Sequence, residues 1–241
     1  MEQKQEIHTS EKAGKQEKKK AVPSILFKVN KKGKHVSAWM SFLRIIVVPI
    51  VRIFYPFKFV GNKKAPDGAC IYVSNHYRMI DPMYLLPTTK EGVHFVAKKE
   101  SERMPILGFF VKKVKTICVS RDGNDARAIL DGLKCLKNGE KLAIYPEGQR
   151  NKTDQVFLPF KSGSALFAIR AKVPVVPVVI YEKAKLFKRN YILIGEPFEL
   201  DEYYGMKLTE EVLQEADEKI LQKMQELRSN FEQSLTDKKR K

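Results

Sequence analysis

The sequence predicts an α/β domain in which helices sandwich a mixed or parallel β-sheet. Short apolar runs rich in β-branched residues alternate with helical patterns along most of the chain, and this alternation is typical of the fold class. The chain has 241 residues, of which 43% are hydrophobic, and these values suit one domain with a sizeable core. No internal repeat is visible.

The alternation begins after residue 60. Strands are expected at 69–74, 93–97, 116–120, 141–145, 174–180 and 190–194. Helices are expected at 82–87, 104–113, 124–137, 162–171 and 208–235. Gly139 follows the third helix and is a typical helix stop. Pro174 and Pro177 predict that their strand lies at a sheet edge or approaches a loop. The last helix should pack on the sheet through the stripe Val212, Leu213, Ala216, Ile220, Met224, Leu227 and Phe231.

The formal net charge of +17 predicts a surface that attracts polyanions. Nucleic acid, an anionic membrane leaflet and phosphorylated substrates all fit that charge. The basic residues form no recognised nucleic-acid-binding module, so no nucleic-acid partner is expected. Residues 1–36 hold ten lysines and few apolar side chains, and we expect a disordered basic arm. The arm is either a solubilising tail or a segment attracted to anionic lipid.

Residues 37–60 are expected to form amphipathic helices that associate with a membrane, ahead of a main domain over 61–241. Arg44 and Arg52 interrupt the apolar run, so no segment reaches the roughly 20 uncharged residues of a spanning helix. A helical hairpin broken near Pro49 would lie in the membrane interface, with its arginines at the headgroups. The expected membrane contacts are Trp39, Phe42, Arg44, Arg52 and Phe54. An ordinary helix that packs in the core is the alternative.

Three cysteines, Cys70, Cys118 and Cys135, show neither a CxxC spacing nor a Cys/His pairing. Two of them lie in apolar runs and are expected to be buried thiols, so neither a metal site nor a disulfide framework is predicted. This usage fits a reducing, cytosolic compartment. The polar N-terminus predicts no secretory signal peptide.

The stretch NHYRMIDP, 75–82, places His76 five residues before Asp81, directly after the apolar run ACIYVS. A histidine can act as a general base near neutral pH, and a carboxylate on its other nitrogen fixes the tautomer. Each residue also has a structural interpretation. Asp81 before Pro82 is a good helix N-cap, and His76 can be an ordinary loop histidine. Taken alone, this pattern is weak.

Three further blocks contain groups suited to a phosphorylated substrate. In YPEGQR, 145–150, Gly148 permits a tight turn, Arg150 offers a planar fork for phosphate, and Glu147 can accept hydroxyl hydrogen bonds. A β-turn with a surface ion pair is the alternative. Arg121 leaves a strand in VSRDG. Lys161 lies beside Gly163 at a predicted helix start, which is a natural anion site.

The order of the four blocks carries a resemblance to a known family. NHYRMIDP resembles the NHxxxxDP motif of the glycerolipid acyltransferases, and MPILGFFVKKVKTICVSRD resembles their second block. YPEGQR is similar to their FPEGTR block and KVPVVPV to their fourth. The resemblance runs from roughly residue 57 to 198 and is strongest to the bacterial 1-acyl-glycerol-3-phosphate acyltransferases. The N-terminal two-helix membrane anchor of those enzymes matches 37–60 in position and character.

The resemblance implies a glycerol-3-phosphate acyltransferase-like fold and a reaction. His76 would take a proton from a glycerol hydroxyl, Asp81 would orient it, and the alkoxide would attack the thioester of acyl-CoA or acyl-carrier protein. The acceptor would be membrane-borne lysophosphatidic acid, converted to phosphatidic acid at the cytoplasmic face of the cell membrane without an acyl-enzyme, cofactor or metal. The implied glycerol-phosphate contacts are Arg121, Glu147, Gly148, Arg150 and Lys161, with Lys98 as a further candidate. Arg78 is a candidate phosphate contact because of its charge, and a side chain that points to water is the alternative.

The chain departs from the family pattern at Gln149, where Thr or Ser is usual, at Ser120, where an acidic residue is common, and at Tyr77 and Arg78. These changes leave the acceptor open. The same chemistry on another lysophospholipid, on glycerol-3-phosphate or on an acylated amino acid is the nearest alternative. A non-catalytic basic protein that binds lipid or nucleic acid is an alternative of another class.

Overall fold

The computed structural model describes residues 27–29, 35–63, 66–89, 92–120, 125–161 and 163–240. Within these residues the chain forms a seven-stranded sheet in the order β3-β9-β8-β4-β7-β5-β6. Its strands are β3 Phe57–Gly61, β4 Cys70–Ser74, β5 Val93–Lys98, β6 Ile117–Val119, β7 Lys141–Ile144, β8 Val175–Ile180 and β9 Asn190–Ile194. A separate antiparallel pair joins the backbones of β1 Phe27–Val29 and β2 His35–Ser37. The rest of the expected basic arm lies outside the described residues.

The sheet is mixed. The strands β8, β4, β7, β5 and β6 run parallel to one another. Strand β9 pairs antiparallel with β8, and β3 runs parallel to β9. The carboxyl ends of β4, β7 and β8 therefore meet at one edge of the sheet, where the β8–β9 connection and the start of β3 also lie. In α/β sheets this edge is where ligands usually bind.

Helices cover both faces, as the alternation predicted. The helices are α1 Ala38–Phe42, α2 Val48–Phe54, α3 Pro82–Leu85, α4 Pro105–Lys113, α5 Ala126–Lys137, α6 Ser164–Ala171 and α7 Glu210–Arg240. One core lies between the sheet and α5, α6 and α7, and the second lies under α1, α2 and α3. The stripe of α7 is confirmed, because Ala216, Ile220 and Met224 are fully buried against the sheet. The helix stop is also confirmed, with Gly139 at φ +77° after α5.

Strand β8 contradicts the expectation of an edge strand. It lies between β4 and β9, and Pro177 is fully inside the sheet. The antiparallel register with β9 begins one residue later, at Val178, and the carbonyl of Pro177 accepts the N–H of Gly195 at 2.9 Å. The N–H that Pro177 lacks therefore falls at the end of this ladder. Gly195, which directly follows the neighbouring strand β9, makes room for the ring, since a Cβ there would lie 2.7 Å from Pro177 Cγ.

The N-terminal segment forms one continuous helical run, not a hairpin broken at Pro49. A π-helical segment, Leu43–Val47, joins α1 to α2, and the backbone stays in the right-handed helical region on both sides. The N–H of Val48 bonds to the carbonyl of Leu43 there. Pro49 lies in the first turn of α2, and the wider turn before it accommodates the missing N–H. The helical expectation for 57–60 was also wrong, because β3 occupies those residues.

The exposed side of this run is apolar, and we call it the apolar helix face. It comprises Phe42, Ile45, Ile46, Ile50, Ile53 and Phe54. Met40, Leu43 and Val48 pack on the core instead. Arg44 was expected at lipid headgroups, but its Nε donates to the carbonyl of Leu86 at 2.9 Å, so it faces the protein. In the described part of the chain, no helix has both the length and the apolarity that a membrane crossing requires.

Candidate active site

The loop after β4 brings His76 and Asp81 together. His76 Nδ1 lies 2.8 Å from Asp81 Oδ2, and the Asp81 side chain is fully buried. The same oxygen accepts the backbone N–H of Tyr77 at 2.6 Å and of Arg78 at 2.7 Å. Asp81 stands at the N-cap of α3, but its side chain makes no capping bond. The Asp81 carboxylate therefore bonds to groups of the histidine loop and does not cap the helix.

This geometry defines which nitrogen of His76 can act as a base. A carboxylate can only accept, so Nδ1 carries the proton and Nε2 keeps a free lone pair. The side chain is 18% exposed, which leaves it open to a substrate. A histidine backed by a buried carboxylate can take a proton and have the resulting imidazolium stabilised.

Two asparagines hold the histidine loop in place, and the sequence reasoning assigned no role to either. Asn75 donates to the carbonyl of Ile180 at 3.0 Å and accepts the N–H of Ile180 at 2.8 Å, so it joins the end of β4 to the end of β8. The N–H of Asn151 bonds to the carbonyl of His76 at 2.6 Å. The first residue of the NHYRMIDP block was the available signal for Asn75.

The loop after β7 packs directly on the histidine. The Tyr145 ring stacks on His76 with centroids 4.3 Å apart and an interplanar angle of 27°. Its hydroxyl is buried without a hydrogen-bond partner among the described residues, as are the Tyr84 hydroxyl and Asp81 Oδ1. Burial raises the pKa of Tyr145 well above its usual value, and the nearby Asp81 and Tyr84 add to the effect. Sequence reasoning did not single out Tyr145.

Glu147 is buried in the same loop, 1% exposed. Burial raises the pKa of its carboxyl to about 7; the backbone amides of Leu158 and His76 lower it in part, and Asp81 raises it further. Among the described residues, no donor forms a hydrogen bond of normal geometry with either Glu147 carboxylate oxygen. A buried acceptor of this kind can receive a substrate hydroxyl, and perturbed carboxyls of this kind are typical of functional sites.

Gly148 forms the tight turn that the sequence predicted. Its φ is +62°, and its N–H bonds to the carbonyl of Tyr145 at 3.0 Å. Lys161 lies over this turn: its N–H bonds to Pro146, and a Cβ on Gly148 would lie 3.1 Å from Lys161 Cδ. The turn and Lys161 are therefore in direct contact, although Lys161 comes thirteen residues after Gly148 in the chain.

The remaining candidates are spread more widely. Arg150 and Arg78 are exposed, and only the backbone of Arg78 contacts Asp81. Lys98 is exposed at the end of β5, with β7 between that strand and β4. Arg121 lies outside the described residues.

The anion site expected at the start of α6 is already filled by the protein. Asp217 of α7 is buried, and its Oδ1 accepts the N–H of Ala165 at 3.0 Å. Burial raises the pKa of Asp217 to about 6, while the amides of Ala165 and Gly163 oppose that rise. Lys161 can still bind a phosphate, but without the help of the helix terminus. Next to it, an open cleft of about 810 Å³ separates the loop 155–161 from α7.

Among the described residues, one group has ligand atoms close enough for a metal ion. The atoms of His94, Cys135 and Glu140 all lie within 4.8 Å of one another. His94 Nε2 is already 3.2 Å from a Glu140 oxygen, and Nδ1 is 3.2 Å from the carbonyl of Lys115. His94 and Glu140 lie at the amino ends of β5 and β7, at the sheet edge opposite His76, and Cys135 lies in α5. That no metal takes part in the chemistry therefore stays a prediction.

The chain is similar to known proteins of one family. The family model described as Acyltransferase matches residues 56–181. A 1-acyl-sn-glycerol-3-phosphate acyltransferase of Helicobacter pylori is 32% identical over 124 residues, which is 50% of this chain and 52% of that protein. The enzyme of that name from Bacillus subtilis is 30% identical over 173 residues, which is 69% of this chain and 85% of that protein.

A solved structure shows the same fold. The crystal structure of the 1-acyl-sn-glycerophosphate acyltransferase PlsC from Thermotoga maritima superposes with a TM-score of 0.55 at 24% identity, over 78% of this chain and 82% of that one. The family model matches more than half of the chain, and the Bacillus subtilis relative is 30% identical over 85% of its own length. The chain belongs to the acyltransferase family.

Proposed function

We propose that the protein transfers a fatty acyl group from acyl-CoA or acyl-carrier protein to the free hydroxyl of 1-acyl-sn-glycerol-3-phosphate, giving phosphatidic acid. The observation that carries the proposal is the His76–Asp81 pair, with Nδ1 and Oδ2 2.8 Å apart and Nε2 free to accept a proton. The names of the relatives from Helicobacter pylori and Bacillus subtilis support the acceptor.

The proposed reaction balances without a covalent enzyme intermediate. His76 Nε2 takes the proton of the acceptor hydroxyl while the oxygen attacks the thioester carbonyl. The tetrahedral intermediate then collapses, the C–S bond breaks, and the imidazolium returns its proton to the leaving thiolate. Asp81 stabilises the imidazolium between these steps. Much of the rate would come from holding the two substrates as neighbours.

The acceptor headgroup would be held beside the dyad. Glu147 is placed to receive a glycerol hydroxyl, and Gly148 lets the chain turn closely around it. Lys161 and Arg150 offer positive charge for the phosphate on the exposed side of the same turn. We assign Arg121 and Lys98 to the same headgroup by resemblance only, and Arg78 only because its exposed side chain is cationic.

The acceptor is a lipid, and we propose that the protein works as a peripheral protein at the cytoplasmic face of the cell membrane. The apolar helix face exposes six large side chains, with exposed fractions of 41–67%. Trp39 lies next to it, in edge contact with Phe42 and Phe109. Arg52 is exposed and can contact a headgroup, whereas Arg44 bonds to the carbonyl of Leu86. An apolar face with basic flanks is typical of helices that lie in an anionic interface.

The test is acyl transfer from labelled oleoyl-CoA and from oleoyl-acyl-carrier protein to 1-acyl-glycerol-3-phosphate in detergent micelles. We expect kcat to fall about a hundredfold to ten-thousandfold in His76→Ala, and at least about a hundredfold in Asp81→Asn. His94→Gln is the matched control, because it removes a histidine at the opposite sheet edge and should leave kcat near wild type.

Each outcome decides between named alternatives. If the wild-type protein acylates a different lysophospholipid, glycerol-3-phosphate or an acylated amino acid instead, the acceptor assignment is wrong and the chemistry stands. If no acceptor is acylated from either donor while lipid still binds, the protein is the non-catalytic alternative. Full activity in His76→Ala would refute the general-base mechanism.

A further inference from the structure

The connection between β8 and β9 ends in a turn that exposes two large apolar side chains. Leu186 and Phe187 are 53% and 64% exposed, and they form the centre of a turn in which Lys188 N–H bonds to the carbonyl of Lys185 at 3.1 Å. We call residues 185–189 the apolar tip. It belongs neither to the acyltransferase motifs nor to the helical segment expected at the membrane.

Phe187 has a backbone conformation that is unfavourable for its side chain. Its φ is +57°, in the left-handed region that glycine adopts without penalty and that bulky residues rarely adopt. Folding alone would favour glycine at this position. A bulky apolar residue that is both strained and exposed points to a role outside the folded core.

The tip is held firmly in its exposed position. The N–H of Phe187 bonds to the carbonyl of Phe54 at 2.6 Å. At its base, Asn190 donates to the carbonyl of Glu182 and accepts the N–H of Glu182. Hydrogen bonds therefore fasten the tip to the end of α2 and close its base.

The tip continues the apolar helix face. The rings of Phe54 and Phe187 lie 5.8 Å apart, and Phe54 is 45% exposed. Phe187 and Phe54 therefore form one exposed apolar surface that neither element provides alone, and the exposed Leu186 and Ile53 are their direct neighbours in the chain. Contiguous apolar surface of this kind usually marks an interaction site.

The charges around the tip specify the partner. Lys185, Lys188 and Arg189 are all exposed, and no acidic residue lies within 185–189. Glu182 stands at the base of the connection, and Lys183 there is paired with Asp154 at 3.8 Å. An apolar pair with three cations beside it suits a surface with hydrocarbon below and phosphates above.

The tip also lies at the same edge of the sheet as the dyad. Strand β8 ends at Ile180, and Asn75 bonds both backbone groups of Ile180 immediately before His76. A membrane that receives the tip would therefore meet the edge of the sheet that carries the histidine.

We propose that the apolar tip inserts into an anionic bilayer, with Leu186 and Phe187 at the boundary between headgroups and acyl chains and Lys185, Lys188 and Arg189 at the phosphates. The tip is a second contact, separate from the apolar helix face, and the two together orient the active-site edge toward the lipid. The inference deepens the proposed function, but binding to vesicles tests it without any turnover.

The experiment compares co-sedimentation of the full chain with vesicles of phosphatidylcholine alone and of phosphatidylcholine with phosphatidylglycerol. In the double variant Leu186→Ser/Phe187→Gly we expect affinity for the anionic vesicles to fall about tenfold or more. The matched control is Leu130→Ser on α5, which removes a leucine that is 66% exposed on the opposite layer. It should bind like the wild type.

A second pair of measurements separates the tip from general damage. Phe187→Gly alone should melt at or above the wild-type temperature, because glycine relieves the left-handed strain, yet it should bind vesicles more weakly. The triple change of Lys185, Lys188 and Arg189 to Gln should weaken binding to the anionic vesicles and leave binding to neutral vesicles unchanged.

Wild-type affinity in the double variant would overturn the proposal. So would a wild-type protein that ignores vesicles and instead forms a dimer that the double variant abolishes, because the surface would then be an interface between two copies. If the wild type binds vesicles through the tip but acylates no acceptor, the proposed function fails and the tip stands.

Discussion

Asn75 should be essential for both the stability of the fold and the position of the catalytic histidine. Its fully buried amide makes two hydrogen bonds with the backbone of Ile180, at 3.0 Å and 2.8 Å. Asn75→Ala removes both partners and leaves the N–H and the carbonyl of Ile180 unpaired in a dry interior. His76 follows directly in the chain, so its loop would lose its fastening to β8.

The magnitude follows from those two bonds. Each buried backbone group left without a partner costs about 1–3 kcal/mol, so Asn75→Ala should lower the free energy of unfolding by about 3 kcal/mol. In a domain of this size each kcal/mol shifts Tm by about 2–4 °C, so a fall of roughly 6–12 °C is expected. Displacement of the base should also lower kcat about tenfold to a hundredfold at temperatures where the variant is folded.

The assay combines thermal unfolding with acyl transfer measured well below Tm. Asn190→Ala is the matched control, because Asn190 makes the same pair of bonds with Glu182. Glu182 is exposed, so water can replace those bonds and the cost should be nearer 1 kcal/mol, without a change in kcat. An Asn75→Ala protein that melts within about 2 °C of wild type and keeps its kcat would refute this reasoning.

Substitutions at three further positions test the candidate site and the start of α6. Asp217→Asn should change how stability depends on pH: the fold raises the pKa of this carboxyl to about 6 and so favours the protonated form. The Asp217 contribution to stability should therefore decline as pH rises from about 4 to about 6. Denaturation at several pH values should show that the variant lacks this decline. A stability difference between wild type and variant that does not vary with pH contradicts the assignment. Tyr145→Phe keeps the ring stacked on His76 and should retain kcat within about threefold, whereas Tyr145→Leu should lose about tenfold; equal activity in the two variants would show that the stack is unimportant. Gly148→Ala places a side chain at φ +62° and against Lys161. It should cost about 1 kcal/mol of stability and raise KM for the phosphorylated acceptor. An unchanged KM would show that Lys161 takes no part in substrate binding.

The strands and most helices of the main domain were predictable because their signals are local. Runs such as CIYVS and VVPVVI are apolar and β-branched, and they form β4 and β8. Strand β3 was not predictable in this way. FKFVG continues the apolar segment before it, and only its pairing with β9, more than 120 residues later, makes it a strand. The orientation of Arg44 likewise depended on Leu86 of a distant element.

In the candidate site, too, some contacts follow from local sequence and others depend on long-range packing. His76 and Asp81 stand five residues apart in one loop, so local geometry and residue type were enough to pair them. Tyr145 reaches His76 only because β4 and β7 are neighbours in the sheet. Asp217 reaches the start of α6 from a helix near the end of the chain, and it closes the anion site that local reasoning had left open.

The sequence by itself determined the α/β class, the family and the candidate base with its acid, because each of these is written in short-range patterns of residue type and spacing. The tertiary structure alone decided the order of the strands, the partners of Asn75, and the meeting of Phe187 with Phe54 in one exposed surface. Contacts of this second kind join residues that are far apart in the chain. They depend on how whole elements pack, and no local pattern encodes that packing.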